Sequence, residues 1–203
     1  MDALQIREAE IALRAADPVL SVLIQAQGPV TLTRRTDYFA SLCRTIVGQQ
    51  VSVKAAATIF GRFETTTGLE PVKVAALTPE QVKTIGLSRQ KASYLTDLAK
   101  HFVDEPTIYD HLEKLSDVEI IAELTEVKGI GVWSAQMFLI FTLGRPDVFA
   151  PDDAGLQRAI TQLYKMETAP SKADLLKLSE KWQPYRSIAS LHLWKSLDNT
   201  PAE

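Results

Sequence analysis

Apolar residues recur along most of this chain three or four positions apart, which is the spacing of one face of an α-helix. Four such stripes are clear, and they lie at residues 38–47, 94–103, 156–163 and 188–194. No segment shows the alternation of apolar and polar residues that a half-buried strand requires, and residues 31–33 are too few to count as one. The pattern therefore predicts an all-α protein.

Polar residues and glycines mark where several of these helices begin and end. Residues 78–81 and 116–119 have the capping-box pattern, in which Ser or Thr is followed three residues later by Gln or Glu. Gly68, Gly86 and Gly144 lie where helices are expected to stop. These positions fix the predicted helix boundaries.

Length and composition limit the class of protein. A chain of 203 residues with 46% hydrophobic residues can bury one good core or two small lobes. No apolar run approaches the roughly 20 residues that span a bilayer, and no signal peptide is visible. Cys43, the only cysteine, lies on an apolar stripe and is interpreted as a core residue. A single cysteine excludes an internal disulfide, Cys-ligated zinc and an iron–sulfur cluster, and it fits a reducing compartment. Together with the lack of an apolar span, this leads us to expect a cytoplasmic protein without membrane contact.

Charge is distributed unevenly. The net charge of −3 argues against a protein that coats nucleic acid along its whole surface. Residues 34–62 nevertheless carry five basic side chains and one acid, whereas residues 104–126 carry eight acids and one lysine. One face could meet phosphates while another repels them, although ordinary solvated helix faces would look the same.

The most informative turn is Lys128-Gly129-Ile130-Gly131, which joins two apolar helical runs. Its two glycines allow the backbone to approach another chain, and the amides of residues 131–133 can bind a phosphate at the start of the next helix. The backbone carbonyls of Thr125, Val127 and Ile130 could hold a monovalent cation that bridges to a phosphate oxygen. An ordinary helical hairpin with a glycine turn would have the same sequence pattern. Both interpretations, a phosphate-binding turn and a structural hairpin, therefore stay open.

Further along the chain, Pro151-Asp152-Asp153 precedes another predicted helix, from Ala154 to Tyr164. Aspartate is a favoured N-cap, and either acid could serve as one. The same placement next to helix amides keeps a carboxylate ionised, so that it can stabilise a developing positive charge. Two adjacent acids suggest that one caps the helix while the other points into a cleft.

Trp133, Trp182 and Trp194 are core residues by default, but Trp133 directly follows the glycine turn. From there its ring could stack on a base turned out of a duplex and attract a cationic base. A weaker copy of the turn occurs earlier, because residues 85–92 align with residues 128–135 with glycines and alanines in step. That copy lacks the second glycine, so it either only packs or contacts a phosphate through Lys91.

Four segments of the chain resemble the helix–hairpin–helix (HhH-GPD) glycosylase superfamily, and within it the alkylbase, or 3-methyladenine type II, DNA glycosylases. They are residues 46–56 (IVGQQVSVKAA), 127–135 (VKGIGVWSA), 147–153 (DVFAPDD) and 182–194 (WQPYRSIASLHLW). They stand in the family's order and extend over residues 36–197. Four motifs in register are far more specific than any one of them.

The resemblance implies a two-lobed helical fold with a DNA-binding cleft between the lobes. One domain would comprise residues 36–147 and contain the hairpin. The other would be formed by both termini, residues 1–35 and 148–203. We expect no counterpart of the N-terminal β-rich domain that larger family members carry.

The resemblance also implies roles for single residues. Asp153 matches the catalytic aspartate. Trp133 stands where bifunctional glycosylase-lyases have a lysine, so no Schiff base forms by that route and the enzyme is expected to be monofunctional. Trp194 matches an active-site aromatic, whereas Met137 and Ala154 replace aromatics and imply a wider pocket. The substrate pocket is therefore predicted to contain Trp133, Met137, Asp152, Ala154 and Trp194.

Gln50 stands where the family inserts a wedge into the gap left by a flipped base. A glutamine would fill that gap by polar contact. The predicted DNA contacts are Gln49, Gln50, Ser52, Lys54, Lys128, Gly129, Gly131, Val132 and Trp133.

Together these features imply a monomer that flips alkylated bases, such as 3-methyladenine and 7-methylguanine, out of damaged double-stranded DNA and excises them by hydrolysis. The product would be an abasic site in base excision repair. No cofactor is required, and Na⁺ or K⁺ at the hairpin is the expected ion. Two alternatives stay open: a glycosylase for mismatched or deaminated bases, and a lesion-binding module without turnover. We expect the protein at the nucleoid in a bacterium and in the nucleus in a eukaryote.

Overall fold

The computed structural model describes residues 1–197, apart from the side chain of Val53, and this part of the chain forms helices and loops without a strand. The predicted all-α fold class is confirmed. The helices are α1 (Ala3–Ala16), α2 (Pro18–Gln27), α3 (Tyr38–Gly48), α4 (Val53–Thr67), α5 (Pro71–Ala75), α6 (Pro79–Ile85), α7 (Arg89–Asp104), α8 (Asp117–Thr125), α9 (Val132–Phe141), α10 (Ala154–Leu163), α11 (Lys172–Ser179) and α12 (Arg186–Lys195).

Side-chain caps begin α6 and α8 as predicted. The Thr78 hydroxyl accepts a hydrogen bond from the Gln81 N–H, the Gln81 side chain accepts from the Thr78 N–H, and Ser116 and Glu119 repeat the arrangement at α8. Gly86 ends α6 with a φ of 90°, a backbone conformation that favours glycine. Helices α1 and α11 also begin with capping boxes. Each of these contains an aspartate, so the Ser/Thr-to-Glu/Gln pattern does not find it.

The apolar stripes form the buried faces of the helices. Leu42, Cys43, Ile46 and Val47 of α3 are all 0% exposed. Burial raises the pKa of the Cys43 thiol, with the nearby charge of Asp37 adding to the shift, so the thiol packs as a neutral, small apolar group. Its interpretation as a core residue is confirmed. None of the described helices is both long and apolar enough to cross a membrane.

The described chain packs as two compact units. The first unit comprises residues 1–34 and 139–197, and in it α12 packs against α1, α2 and α10. The second unit comprises residues 35–138, and in it α3 packs against α4 and α7. The chain passes from the second unit to the first inside α9, because the last turn of that helix packs with the first unit through the ring contact of Phe141 with Trp194. The division drawn from the resemblance places this passage after residue 147.

Asp17 is a fully buried carboxylate between α1 and α2 in the first unit. Its Oδ1 accepts a hydrogen bond from the Val19 N–H at 2.9 Å and so caps α2. Its Oδ2 accepts from Trp182 Nε1 at 2.8 Å and from the Tyr164 hydroxyl, and it lies 3.0 Å from Lys181 Nζ. Burial by itself raises the pKa of Asp17, but the donors from Tyr164, Trp182 and Lys181 outweigh burial and lower the pKa below its ordinary value of 3.8.

Asp17→Asn is therefore expected to lower the free energy of unfolding at pH 7 by roughly 2–4 kcal/mol, because an amide cannot accept from all these donors. A carboxyl whose pKa is lowered by folding stabilises the protein above its unfolded-state pKa, and this contribution is lost as the pH falls through the folded-state pKa. The advantage of the wild type should thus be full at neutral pH and shrink below a pH of about 3.8. Urea unfolding of both proteins at pH 7 and at about pH 3 measures the difference.

Asp152→Asn is the control for that experiment, because it makes the same chemical change at an exposed ion pair with Lys172 in the same unit. Its free energy of unfolding should differ from that of the wild type by less than about 1 kcal/mol. Equal losses in the two variants would contradict the role given to Asp17.

Candidate active site and nucleic-acid interface

Asp153 lies immediately before α10 and is 7% exposed. Its Oδ1 accepts hydrogen bonds from the Leu156 N–H at 2.7 Å and from Trp194 Nε1 at 2.8 Å. Asp153, rather than Asp152, is thus the N-cap of α10. A carboxylate held by a helix amide and an indole N–H has a fixed orientation and a stabilised negative charge.

Trp194 is 1% exposed, and its ring lies 5.7 Å from that of Phe141, centroid to centroid. Gly155 leaves room for this indole, because a Cβ on Gly155 would lie 3.2 Å from Trp194 Cδ1 and 3.0 Å from Asp153 Oδ1. The resemblance assigned Trp194 to the substrate pocket. The structure instead places its polar edge on Asp153, so Trp194 orients the carboxylate, and its buried ring presents little surface for stacking.

The segment that leads to Asp153 is fastened to the start of α12. The Arg186 guanidinium donates to both carboxylate oxygens of Asp147, from Nε at 2.8 Å and from Nη2 at 3.0 Å. The Ser187 hydroxyl donates to the Arg145 carbonyl at 2.7 Å and accepts from the Val148 N–H at 2.9 Å. Ser187 and Trp194 are seven residues apart and therefore share one face of α12. Helix α12 thus holds both the chain segment that precedes Asp153 and the Asp153 carboxylate itself.

The neighbours of Asp153 are arranged differently from the prediction. Asp152 is exposed, and its Oδ2 lies 2.6 Å from Lys172 Nζ. An exposed ion pair with a lysine is a surface contact, so the structure does not support the assignment of Asp152 to a pocket. Ala154 is exposed as the first residue of α10.

The glycine turn between α8 and α9 lies in the second unit, and its two glycines differ. Gly129 has a φ of 88°, and a Cβ on it would lie 2.2 Å from Cδ2 of Tyr94 in α7. Gly129 is therefore required by the backbone and by the packing of Tyr94. A Cβ on Gly131 would meet nothing within 4 Å, and this exposed glycine keeps the start of α9 open on its outer side.

The other predicted residues around this turn range from exposed to buried. Lys128 and Val132 are exposed, Trp133 is partly exposed, and Met137 is buried at 5% exposure. The exposed residues can meet a partner directly. Met137 lies in the buried core of the protein.

The loop between α3 and α4 is tied to the glycine turn within the second unit. Gln49 Nε2 donates to the Gly129 carbonyl at 2.7 Å and lies 3.2 Å from the Ser134 hydroxyl. The predicted DNA contact through the Gln49 side chain is thus replaced by a contact inside the protein. Gln50, the next residue, is exposed and has a φ of 56°. Ser52 is the N-cap of α4, and both Ser52 and Lys54 are exposed. Exposure of this kind is what a residue that contacts a phosphate requires.

A surface pocket of about 450 Å³ lies beside the turn. It is lined by residues 125–131, by Gln49 and Gln50, and by Ser88, Gln90, Lys91 and Tyr94 of the α6–α7 region. The three residues whose carbonyls are predicted to hold a monovalent cation, Thr125, Val127 and Ile130, are all among them. The occupancy of that site stays a prediction.

Three residues of these sites were missed by the sequence reasoning. Tyr94 is a member of an apolar stripe, and the stripe does not indicate that its ring packs on Gly129. The signal for Gly155 is a glycine two positions after the candidate catalytic acid. The contacts of Lys91 with the backbone carbonyls of residues 47 and 49 were missed as well, because the sequence suggested only that the copy at residues 85–92 packs or contacts a phosphate through Lys91.

The two glycines of the turn give a matched test. Gly129→Ala is expected to lower the free energy of unfolding by about 2–4 kcal/mol, because it combines an unfavourable φ with a clash against Tyr94. Gly131→Ala should change it by less than about 0.5 kcal/mol. In a Tyr94→Ala background the cost of Gly129→Ala should fall to about 1 kcal/mol, the backbone contribution alone. Urea unfolding measures the stability of Gly129→Ala, Gly131→Ala, Tyr94→Ala and the double variant of Gly129→Ala with Tyr94→Ala. If Gly129→Ala cost as much in the Tyr94→Ala background as in the wild type, the packing argument would be refuted.

Residues 43–184 of this chain match the family described as HhH-GPD superfamily base excision DNA repair protein. The chain is 32% identical to DNA-3-methyladenine glycosylase 1 of Schizosaccharomyces pombe, with 93% of this chain and 86% of the relative covered. It is 35% identical to the DNA-3-methyladenine glycosylase of Saccharomyces cerevisiae, with 85% and 70% covered.

Among solved structures, the chain is similar to the Schizosaccharomyces pombe 3-methyladenine DNA glycosylase in complex with abasic DNA. The TM-score is 0.86 at 29% sequence identity, and 97% of this chain and 99% of that chain are covered. The family match extends over more than half of the chain and includes the glycine turn and Asp153. The chain belongs to the HhH-GPD superfamily of base excision DNA repair proteins.

Proposed function

We propose that this protein is a monofunctional DNA glycosylase that hydrolyses the N-glycosidic bond of alkylated bases in duplex DNA and leaves an abasic site. The observation that carries the proposal is the Asp153 carboxylate, fixed at the start of α10 by the Leu156 N–H and Trp194 Nε1. Relatives named as 3-methyladenine DNA glycosylases support the choice of alkylated bases, because they match the chain over most of its length. One of them has been solved with abasic DNA, the product of such a reaction.

The reaction requires a negative charge next to the sugar. A base alkylated at a ring nitrogen, such as 3-methyladenine or 7-methylguanine, carries a positive charge and leaves readily, so it needs little help from a general acid. As its bond to the sugar breaks, positive charge develops on the sugar ring, as in other glycoside hydrolyses. The Asp153 carboxylate stabilises that charge and orients the water that attacks the sugar. Because Asp153 is held before the substrate arrives, little reorganisation is needed during the reaction.

Trp133 supports a hydrolytic enzyme without lyase activity. A lyase step in this family needs an amine that forms a Schiff base with the sugar, and this position carries an indole instead. The ring is partly exposed, so it can stack on a flipped base and attract a positively charged one.

We propose that the glycine turn grips the DNA backbone. Gly131 leaves open space at the start of α9, where backbone N–H groups can bind a phosphate. Thr125, Val127 and Ile130 would supply carbonyls to K⁺ or Na⁺ at the same pocket, and the ion would add positive charge beside that phosphate. Such contacts are independent of sequence, so they would hold damaged duplex whatever bases surround the lesion. The proposal further takes the enzyme to act as a monomer, at the nucleoid in a bacterium or in the nucleus in a eukaryote.

The decisive experiment compares the wild type with Asp153→Asn on a panel of duplexes. Each duplex carries one lesion: 7-methylguanine, 3-methyladenine, uracil opposite guanine, or hypoxanthine. The wild type should release the methylated bases and leave a strand that only alkali cleaves. Asp153→Asn should keep fold and DNA binding and lose at least about a hundredfold in the rate of base release, because a preorganised charge is removed.

Asp174→Asn, an exposed aspartate at the start of α11, is the matched control and should keep the wild-type rate. A large loss in Asp152→Asn with a near-normal rate in Asp153→Asn would move the catalytic role to Asp152. Release of uracil or hypoxanthine in preference to methylated bases would favour an enzyme for deaminated bases. Tight lesion binding without any release would favour a binding module.

Trp194→Phe tests the orienting hydrogen bond. Phenylalanine keeps an aromatic ring but has no N–H, and a hydrogen bond to a charged group is worth about 1.5–3 kcal/mol. The rate of base release should fall roughly tenfold to a hundredfold, measured in single turnover with enzyme in excess.

Trp182→Phe is its control, because the Trp182 indole donates to Asp17 and not to Asp153. It should lower stability yet leave the single-turnover rate of the folded enzyme near that of the wild type. If both variants lost rate to the same extent, Trp194 would serve only packing.

A further inference from the structure

Lys91 of α7 binds two backbone carbonyls at the end of α3. Its ammonium nitrogen lies 2.7 Å from the Val47 oxygen and 2.6 Å from the Gln49 oxygen. The last carbonyls of a helix have no amide partner within the helix, and the negative end of the helix dipole lies there. A partly buried ammonium group supplies both the missing donors and a positive charge, and burial lowers the pKa of Lys91.

Gln50 follows directly on this anchored segment. Its φ of 56° lies in the left-handed region, which residues other than glycine rarely adopt, and its side chain is exposed. Such a conformation persists when neighbouring contacts fix the backbone. Here the preceding residue is fixed twice, because the Gln49 backbone carbonyl accepts from Lys91 and the Gln49 side-chain Nε2 donates to the Gly129 carbonyl.

We propose that Lys91 is a positioning residue for Gln50: by holding the Val47 and Gln49 carbonyls, it fixes the turn that presents Gln50 to the DNA base stack. This inference rests on the proposed function and on the family resemblance, which places Gln50 in the gap left by a flipped base. Through Gln49 the same contacts join this turn to the glycine turn at Gly129. The residue that reaches the bases and the residues that grip the backbone thus keep a constant spacing within the second unit.

The contacts argue against a phosphate role for Lys91. A lysine that neutralises a phosphate is exposed and adds about one unit to the slope of log K against log salt concentration. Lys91 has its ammonium group on two carbonyls inside the protein. Lys54, which is exposed at the start of α4, has the setting of a phosphate contact and serves as its comparison.

The test measures dissociation constants for a duplex with an abasic analogue and for the matching undamaged duplex, across a salt series. The proteins are the wild type, Lys91→Met, Lys91→Arg, Gln50→Ala, the double variant of Lys91→Met with Gln50→Ala, and Lys54→Met. Thermal unfolding establishes that each is folded. Lys91→Met and Gln50→Ala should each reduce the preference for the abasic duplex by roughly tenfold, and Lys91→Met should leave the salt slope unchanged. Lys91→Arg, which keeps a charged donor, should retain most of the preference.

The double variant decides whether Lys91 acts through Gln50. If it does, adding Lys91→Met to Gln50→Ala should change the preference no further. Lys54→Met should weaken binding to both duplexes alike and lower the salt slope by about one. Additive losses in the double variant, an unchanged preference in Lys91→Met, or a lowered salt slope in Lys91→Met would each overturn the proposal.

Hydrogen exchange of the free protein separates this inference from the proposed function. Backbone amides of residues 46–52 should exchange faster in Lys91→Met than in the wild type, and at the wild-type rate in Lys54→Met. If the wild type failed to release methylated bases, the proposed function would fall, and the exchange data would still decide whether Lys91 holds this turn. Equal exchange in Lys91→Met and the wild type would overturn the positioning role.

Discussion

The hydrogen bond from Trp194 Nε1 to Asp153 Oδ1 is the contact on which the candidate active site depends. A carboxylate that is nearly buried is costly unless donors satisfy it, and here one donor is a helix amide and the other is an indole. The indole comes from α12, whose first residues also hold the segment before Asp153. Displacement of α12 would therefore free both the Asp153 carboxylate and the chain segment that precedes it.

The first unit uses this arrangement twice. Asp17 and Asp153 are both buried N-caps, and each accepts from a tryptophan Nε1 at 2.8 Å. They differ in what else they meet. Asp17 is 0% exposed and has Lys181 beside it, so its charge is neutralised and its role is structural. Asp153 keeps 7% exposure, and in the proposed function its charge acts on the substrate. The same pair of contacts, a helix amide and an indole N–H, thus holds a structural carboxylate at one helix and the proposed catalytic carboxylate at another.

The sequence was sufficient for the features that depend on local pattern. Helical periodicity predicted the all-α class, and the capping boxes at Thr78 and Ser116 followed from residue types three positions apart. The acid that caps α10 could not be chosen, because Asp152 and Asp153 are equally good caps in a sequence. The contacts that were missed join distant positions: Tyr94 with Gly129, and Lys91 with Gln49. Residue type and spacing do not reveal which way such side chains point once the chain has folded.

Gln50 illustrates a conflict between stability and reach. A glycine would adopt the φ of 56° at position 50 without the penalty of about 1 kcal/mol that a side chain incurs there. Selection for stability alone would therefore replace this glutamine with glycine and remove the side chain at position 50. A library of variants ranked by melting temperature would favour that replacement. The position is thus one where a thermostable redesign of this chain would remove the side chain that is proposed to reach the DNA.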